Sequence, residues 1–310
     1  MRLQAVMTVL AARRYFLDGA SKSEIAEELG ISRFKVARLL EAARRSGIVR
    51  IEIGGPPEFD VELSSELAAR HGLRDALVVR VVEGPDEFKR EQLGRACAEL
   101  LTETLEARDV LGISWGRTLH SMVAHLSRLP GCTVVQIVGS VPTLELAVNS
   151  LELVRRVADC AGGPVYPLHV PLLMDSPEMA DALRRDPYVH KTIEMFDRLT
   201  KAVVGIGAWT ASGSTVRAAL PAELAADLDA AGAVADVCST VLDANGQELR
   251  AAGLPDRFIA IRLQQLRAVP DVVAIAGGAA KAPAILAALR SGLIHRLITD
   301  EEAARLLLAA

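Results

Sequence analysis

Apolar positions along this chain follow two different periods. Between Ser21 and Leu40 they recur at helical spacing, first as Ile25, Ala26 and Leu29 and then as Val36, Leu39 and Leu40. Ser21 stands where a helix cap belongs, with Glu24 at the capping-box position. Gly30 ends that first helix, Ile31 follows as an apolar plug, and Ser32 caps a second. GIVRIEI, residues 47–53, alternates like a short strand, and GGPPEFD reads as a linker. From residue 60 the pattern changes. DALVVRVV, DVLGIS, CTVVQIVG, PVYPLHV, AVVGIGAW, DVCSTVLD, RFIAIRL, DVVAIAGG and HRLITD are short apolar runs, with amphipathic helices between most of them.

Two domains follow from this switch: a winged helix-turn-helix over residues 1–54, and a mostly parallel, doubly wound α/β domain over residues 55–310. In the first, small Ala26 permits close approach of the helices, and the second helix would enter the major groove with its N-terminal end leading. Ser32, Arg33, Phe34, Lys35 and Arg38 lie at that end, with Ser21 and Lys22 at the start of the preceding helix. Arginine reads guanine through paired hydrogen bonds, whereas lysine and serine more often hold phosphate. The predicted wing would bring Arg50 near the DNA backbone.

Charge supports this division. The formal net charge of −4 separates into +4 over residues 1–53 and −8 over the remainder, a basic segment on an acidic body. No run of eighteen apolar residues is present, and Arg13 and Arg14 stand where a signal peptide would need its cleavage site, so a cytoplasmic protein is expected. Cys97, Cys132, Cys160 and Cys238 are scattered without a C-x-x-C pair, which predicts neither a disulfide framework nor a metal site.

In α/β folds ligands sit beyond the carboxyl ends of the strands, so the loops after strands carry the candidate chemistry. GISWGRTL supplies Ser114, Trp115, Gly116, Arg117 and Thr118 after the strand that contains Gly112; AIAGGAAKAPAIL supplies Gly277, Gly278 and Lys281. Both suit a phosphate or a cluster of sugar hydroxyls, and neither matches a nucleotide-binding fingerprint. Gln136, Ser140 and Asp243 fall at strand ends as further candidates, although Asp243-Ala-Asn-Gly is also ordinary turn chemistry. His169 and Asn149 could reach a polyol. No cofactor is expected. An enzyme that uses Asp243 with His120 or Lys281 as acid and base is the alternative reading, but no complete catalytic set emerges.

The whole chain resembles the SorC type of sugar-binding transcriptional regulators. The resemblance is carried by IAEELGISRFKVARLLEAARRSGIVRI, LGISWGRTL, VVQIVGS, VVGIGAW, VCSTVLDANGQ, VAIAGGAAKAPAILAAL and LITDEEAARLLL. It implies a DNA-binding N-terminus and an effector domain related to sugar-phosphate isomerases and deaminases. Operator DNA and a phosphorylated sugar or polyol would then be the partners, in a homodimer or homotetramer assembled through the effector domain. Gly112, Ser114, Gly116 and Thr118 would hold phosphate, and Lys281 a second charged or hydroxyl group. Some relatives carry a lysine where this chain has Val138, which leaves no amine at that point for covalent capture of an aldehyde sugar.

Overall fold

The computed structural model describes residues 2–49, 58–81, 84–141 and 150–310, and it divides into two units, Met1–Gly54 and Gly55–Ala310. The first unit contains α1 (Arg2–Phe16), α2 (Lys22–Glu28) and α3 (Arg33–Arg45). Ser21 Oγ accepts the Glu24 N–H at 3.3 Å while the Glu24 carboxylate accepts the Ser21 N–H at 2.7 Å, completing the capping box. Gly30 takes a φ of +62° at the turn, and Ser32 Oγ accepts the Lys35 N–H at 3.2 Å to open α3. Ile25, Val36, Leu39, Leu40 and Ala43 form the core together with Ala11 and Ala12 of α1, a helix the apolar pattern did not single out. Arg14 of α1 pairs with Glu28 and Asp18, tying α1 to the end of α2. Residues 50–57, which include Arg50 and most of the predicted wing and linker, lie outside the described residues; Gly47, Ile48 and Val49 form no strand, and at the far end of the predicted linker Phe59 bridges Val79.

Among the described residues the second unit is built on seven parallel strands: β1 (Asp75–Val79), β2 (Val110–Ile113), β3 (Thr133–Gln136), β4 (Val165–Tyr166), β5 (Lys201–Gly205), β9 (Asp271–Ile275) and β10 (Arg296–Asp300). Three short strands, β6 (Gly207–Ala208), β7 (Ala233–Val237) and β8 (Thr240–Asp243), make a separate antiparallel sheet. The order of the large sheet is β1-β10-β9-β5-β2-β3-β4. From β2 the chain moves outward through β3 and β4, then returns to place β5 on the other side of β2. The strand order therefore reverses between β2 and β5, the point at which doubly wound sheets open a crevice.

Three apolar runs differ from their expected form. DVCSTVLD is not one strand but the end of β7, a two-residue turn at Cys238 and Ser239, and β8. RFIAIRL joins no strand, because its backbone is divided between two partners: Ala260 bridges Val138 and Phe258 bridges Leu173. PVYPLHV contributes only two residues to the sheet, since Pro167 has no N–H with which to continue the ladder.

Helices α4 (Val61–His71), α5 (Asp86–Thr104), α6 (Arg117–His125) and α7 (Ser150–Ala161) pack against this frame, and α5 and α6 bear on each other most closely. Gly94 of α5 makes that approach possible, since a Cβ there would come within 2.6 Å of the Met122 backbone nitrogen and 2.8 Å of the Ser121 carbonyl carbon. Gly94→Ala should accordingly destabilise the protein by about 1–3 kcal/mol, because backbone cannot yield as a side chain can. Helix propensity alone favours alanine by roughly 1 kcal/mol and gives the opposite sign. Urea unfolding of the two proteins checks this, and an unchanged or raised stability would refute the packing argument.

Candidate ligand-binding cavity

A cavity of about 570 Å³ opens at the carboxyl ends of β2, β5 and β9, at the reversal of strand order. Its first wall is Ser114–Leu119. Gly116 adopts φ +153° and ψ 162°, a combination that glycine accepts and other residues avoid, at the start of α6. Among the described residues no side chain caps this helix, so its first-turn N–H groups and positive dipole end are offered to the cavity. Arg117 reaches over to donate to the Ser212 carbonyl at 2.8 Å, which fixes the loop after β6 beside α6. Trp115 lines the cavity but uses its indole N–H structurally, donating to the Gly139 carbonyl at 3.0 Å.

The second wall is the loop after β9. The carboxylate of Asp300, at the end of β10, lies against Gly277 where a Cβ would otherwise sit, and it accepts the Gly278 N–H. Its other oxygen accepts the Ala303 N–H at 3.0 Å, so one side chain both shapes this loop and caps the C-terminal helix Glu301–Ala309. Lys281 extends from the same loop to the end of β5 and donates to the Ile206 carbonyl at 2.9 Å. Burial pushes its ammonium below the usual lysine range; nearby Asp236 opposes that shift, while Arg117 and Arg90 add to it.

The remaining walls carry residues that sequence reasoning missed. Asp86, Lys89 and Arg90, at the start of α5, contribute charged side chains, as does Glu302. Asp236 on β7 is a buried carboxyl that accepts the Ser214 hydroxyl and lies against Gly207. Burial raises it to about 6, although the Ser214 hydrogen bond and Lys281 pull it down. Cys238 lines the cavity as well, but burial pushes its thiol up to about 12, so it is not a nucleophile at neutral pH. Lys89, Arg90, Arg117 and Lys281 outnumber Asp86, Asp236 and Glu302 among the described lining residues. With the uncapped end of α6, that balance favours an anionic ligand that also presents hydroxyls to Asp236.

The structure thus gathers Ser114, Trp115, Gly116, Arg117, Thr118, Gly277, Gly278 and Lys281 around one cavity. It places four other candidates elsewhere. Gln136 is fully buried, and its amide is consumed by the Val138 carbonyl (2.9 Å), Ser150 Oγ (3.3 Å) and the Leu168 N–H (3.0 Å). Ser140 pairs with the same Ser150 hydroxyl at 2.8 Å. Asp243 accepts the N–H groups of Asn245 (2.9 Å) and Gln247 (2.8 Å), which is turn chemistry. Gly112 is required by packing, since a Cβ would meet Ile137 at 2.9 Å and Leu199 at 3.1 Å. His169 is exposed, and neither it nor His120 is among the lining residues; Asn149 lies outside the described residues. Val138 lines the cavity and makes that part of its surface apolar.

Around the start of α3, Arg33, Phe34, Lys35 and Arg38 are each exposed to solvent, Phe34 by 85%. Ser21 and Ser32 serve as caps, and the Lys22 ammonium lies 5.7 Å from the centre of the Tyr15 ring.

A parallel α/β body with an anion-suited crevice at its switch point is a ligand-binding domain, and comparison with known proteins names its kind. Residues 55–309 match the family described as "Putative sugar-binding domain". The transcriptional regulator LsrR of Klebsiella pneumoniae subsp. pneumoniae is 33% identical over 301 residues, which cover 95% of this chain and 90% of that protein. The deoxyribonucleoside regulator of Bacillus subtilis is 30% identical, covering 97% of this chain and 96% of its own length. The crystal structure of the full-length sorbitol operon regulator SorC from Klebsiella pneumoniae superposes with a TM-score of 0.76 at 29% identity, over 99% of this chain and 100% of that one. The chain belongs to this family of sugar-binding transcriptional regulators, the SorC type, and its relatives are regulators rather than enzymes. Among the described residues no helix is long and apolar enough to cross a membrane, and no group of side chains is arranged to hold a metal ion.

Asp236 gives this cavity a pH signature. Its carboxyl titrates at about 6 in place of the ordinary 3.8, so its contribution to stability is full below pH 4 and is lost as the pH rises through 6. Asp236→Asn, which keeps an acceptor for Ser214, should therefore be more stable than the parent at pH 8 by up to about 3 kcal/mol. The gap should close as the pH falls towards 4. Denaturant unfolding across this range tests the assignment, and a gap that does not vary with pH would contradict it.

Proposed function

We propose that this chain is a transcriptional regulator of carbohydrate metabolism that binds operator DNA through residues 1–54 and a phosphorylated sugar or polyol through residues 55–310. The observation that carries the reading is the meeting of an uncapped helix start and a buried lysine in one cavity at the switch point of the sheet. Phosphate is assigned to the α6 N-terminus, with Ser114, Gly116, Thr118 and Lys281 around it, and sugar hydroxyls to Asp236. Relatives named as a deoxyribonucleoside regulator and a sorbitol operon regulator support a ligand that carries sugar or polyol hydroxyls.

The DNA reading rests on α2 and α3. Two capped helices meet across the Gly30 turn as in a helix-turn-helix, and the exposed row Arg33, Phe34, Lys35 and Arg38 faces outward as a groove-reading surface must. Residues 47–53 would supply the wing. One such unit makes few base contacts, so operator-level affinity calls for a homodimer or homotetramer with half-sites about one helical turn, or a multiple of it, apart.

Binding in the two units is linked: an effector that changes operator affinity by some factor has its own affinity changed by the same factor. Lys281→Ala and Thr118→Val should both weaken a phosphorylated effector. The lysine should matter more, since hydrogen bonds to charged groups are worth about 1.5–3 kcal/mol against about 1 for neutral ones. Operator affinity in the absence of effector should barely change. Calorimetry of each variant with a panel of sugar phosphates, with and without operator, is the test; variants that bind the effector normally would place the sensing site elsewhere.

DNA reading is tested separately, with an operator obtained by selection from a random pool. Arg33→Ala or Arg38→Ala should cost roughly 1–3 kcal/mol of specific affinity and relax preference at one position of each half-site. Lys35→Ala should instead reduce the salt dependence. Wild-type discrimination in both arginine variants would exclude this face as the reading surface.

A further inference from the structure

The hairpin from β7 to β8 turns through Cys238 and Ser239 at φ +49° and +72°. Left-handed backbone is unfavourable for both residue types, and glycine would occupy it without strain. A second penalty falls on the same turn. Ser239 is 5% exposed, and its hydroxyl has no hydrogen-bond partner among the described residues. A protein selected for stability alone would not bury an unpaired hydroxyl on a strained turn.

The position of the turn accounts for both penalties. Ser239 lines the 570 Å³ cavity and also a smaller one of about 130 Å³, whose wall includes Arg250, Phe258, Arg262 and Gln264. Asp236, a buried carboxyl of the same cavity, precedes it by three residues. A carboxylate lining the same cavity disfavours an anion on that wall and favours a ligand hydroxyl, which can donate to Asp236 or exchange a hydrogen bond with Ser239. We propose that Ser239 is a specificity-determining contact of the effector, its hydroxyl pairing with a hydroxyl of the sugar rather than with the phosphate. The proposal rests on the reading of the larger cavity as the effector site. The Ser239 oxygen is enclosed in this fold, so the side chain turns about its Cα–Cβ bond to meet the sugar, which then supplies the missing partner.

The test compares the full-length protein with its Ser239→Ala and Ser239→Gly variants, using sorbitol 6-phosphate, ribose 5-phosphate and inorganic phosphate as probes. Without any probe, Ser239→Ala should raise the melting temperature by about 2–4 °C, because it deletes an unsatisfied group; Ser239→Gly also relieves the backbone and should rise at least as far. The sugar phosphate that binds the parent best should bind both variants about 5–10-fold more weakly, while inorganic phosphate binds all three proteins equally. A lower melting temperature for Ser239→Ala would show that the hydroxyl supports the fold, and an unchanged ratio of sugar-phosphate to phosphate affinity would show that it does not touch the sugar. Either result overturns the proposal. If the probes bind, and Lys281→Ala weakens them all while Ser239→Ala weakens none, the Ser239 assignment alone falls. If no probe binds the parent protein, the effector-site reading falls and this inference falls with it.

Discussion

Parallel pairing of β2, β5 and β9 is the constraint on which the rest of the ligand-binding unit depends. Because these strands run side by side in one direction, their carboxyl ends at Ile113, Gly205 and Ile275 lie at one edge of the sheet, and the loops that leave them share one space. The reversal of strand order between β2 and β5 keeps that space from being filled by a crossover helix. Glycines then let the backbone close around it: Gly116 at the opening of α6, Gly277 against the Asp300 carboxylate, and Gly207 against Asp236. At the opposite end of the strands the same alignment brings first residues together. Lys201, Asp271, Arg296 and Asp75 begin β5, β9, β10 and β1 and form a continuous chain of ion pairs. Their charges are paired, so that end of the sheet is closed electrostatically while the carboxyl end is left with chemistry to offer.

The difference between the two ends concerns energy as well as position. Around the cavity, an ammonium and a carboxyl are both pushed towards neutrality by burial, one helix start lacks a cap, and the Cys238–Ser239 turn sits in left-handed backbone. Each feature lowers the stability of the unliganded protein, and all but the backbone strain of the turn would be offset by a ligand of one kind, an anion that carries hydroxyls. A ligand that relieves such strain has a large differential affinity for the state in which the cavity is fully formed, which is the thermodynamic requirement for shifting a conformational equilibrium.

Much of this was legible from residue types. Ser21, Glu24, Gly30 and Ser32 mark the ends of α2 and α3 through local hydrogen bonds, which depend only on neighbours in sequence. GISWGRTL and AIAGGAAKAP announce strand-to-helix turns because glycine there follows an apolar run. Asp236 was missed because it stood inside DVCSTVLD, which reads as one apolar strand when its turn residues are Cys238 and Ser239 rather than an Asn-Gly pair. Lys89 and Arg90 belong to no motif, and only the placement of α5 brings them to the cavity. The opposite error arose at Gln136 and Ser140. A polar residue at a strand end resembles a ligand contact, yet here Ser150, ten and fourteen residues away, and Leu168 absorb their hydrogen bonds. Contacts between residues far apart in the chain carry no signature in spacing.

The most direct measurement is hydrogen–deuterium exchange on the full-length protein, with and without the sugar phosphate that raises its melting temperature most. Slowed exchange is expected at the backbone N–H groups of residues 116–119 and 277–281 and in the turn at 237–240, three segments that are distant in sequence and meet at the cavity. Protection confined to other parts of the chain, with these three segments unchanged, would contradict it.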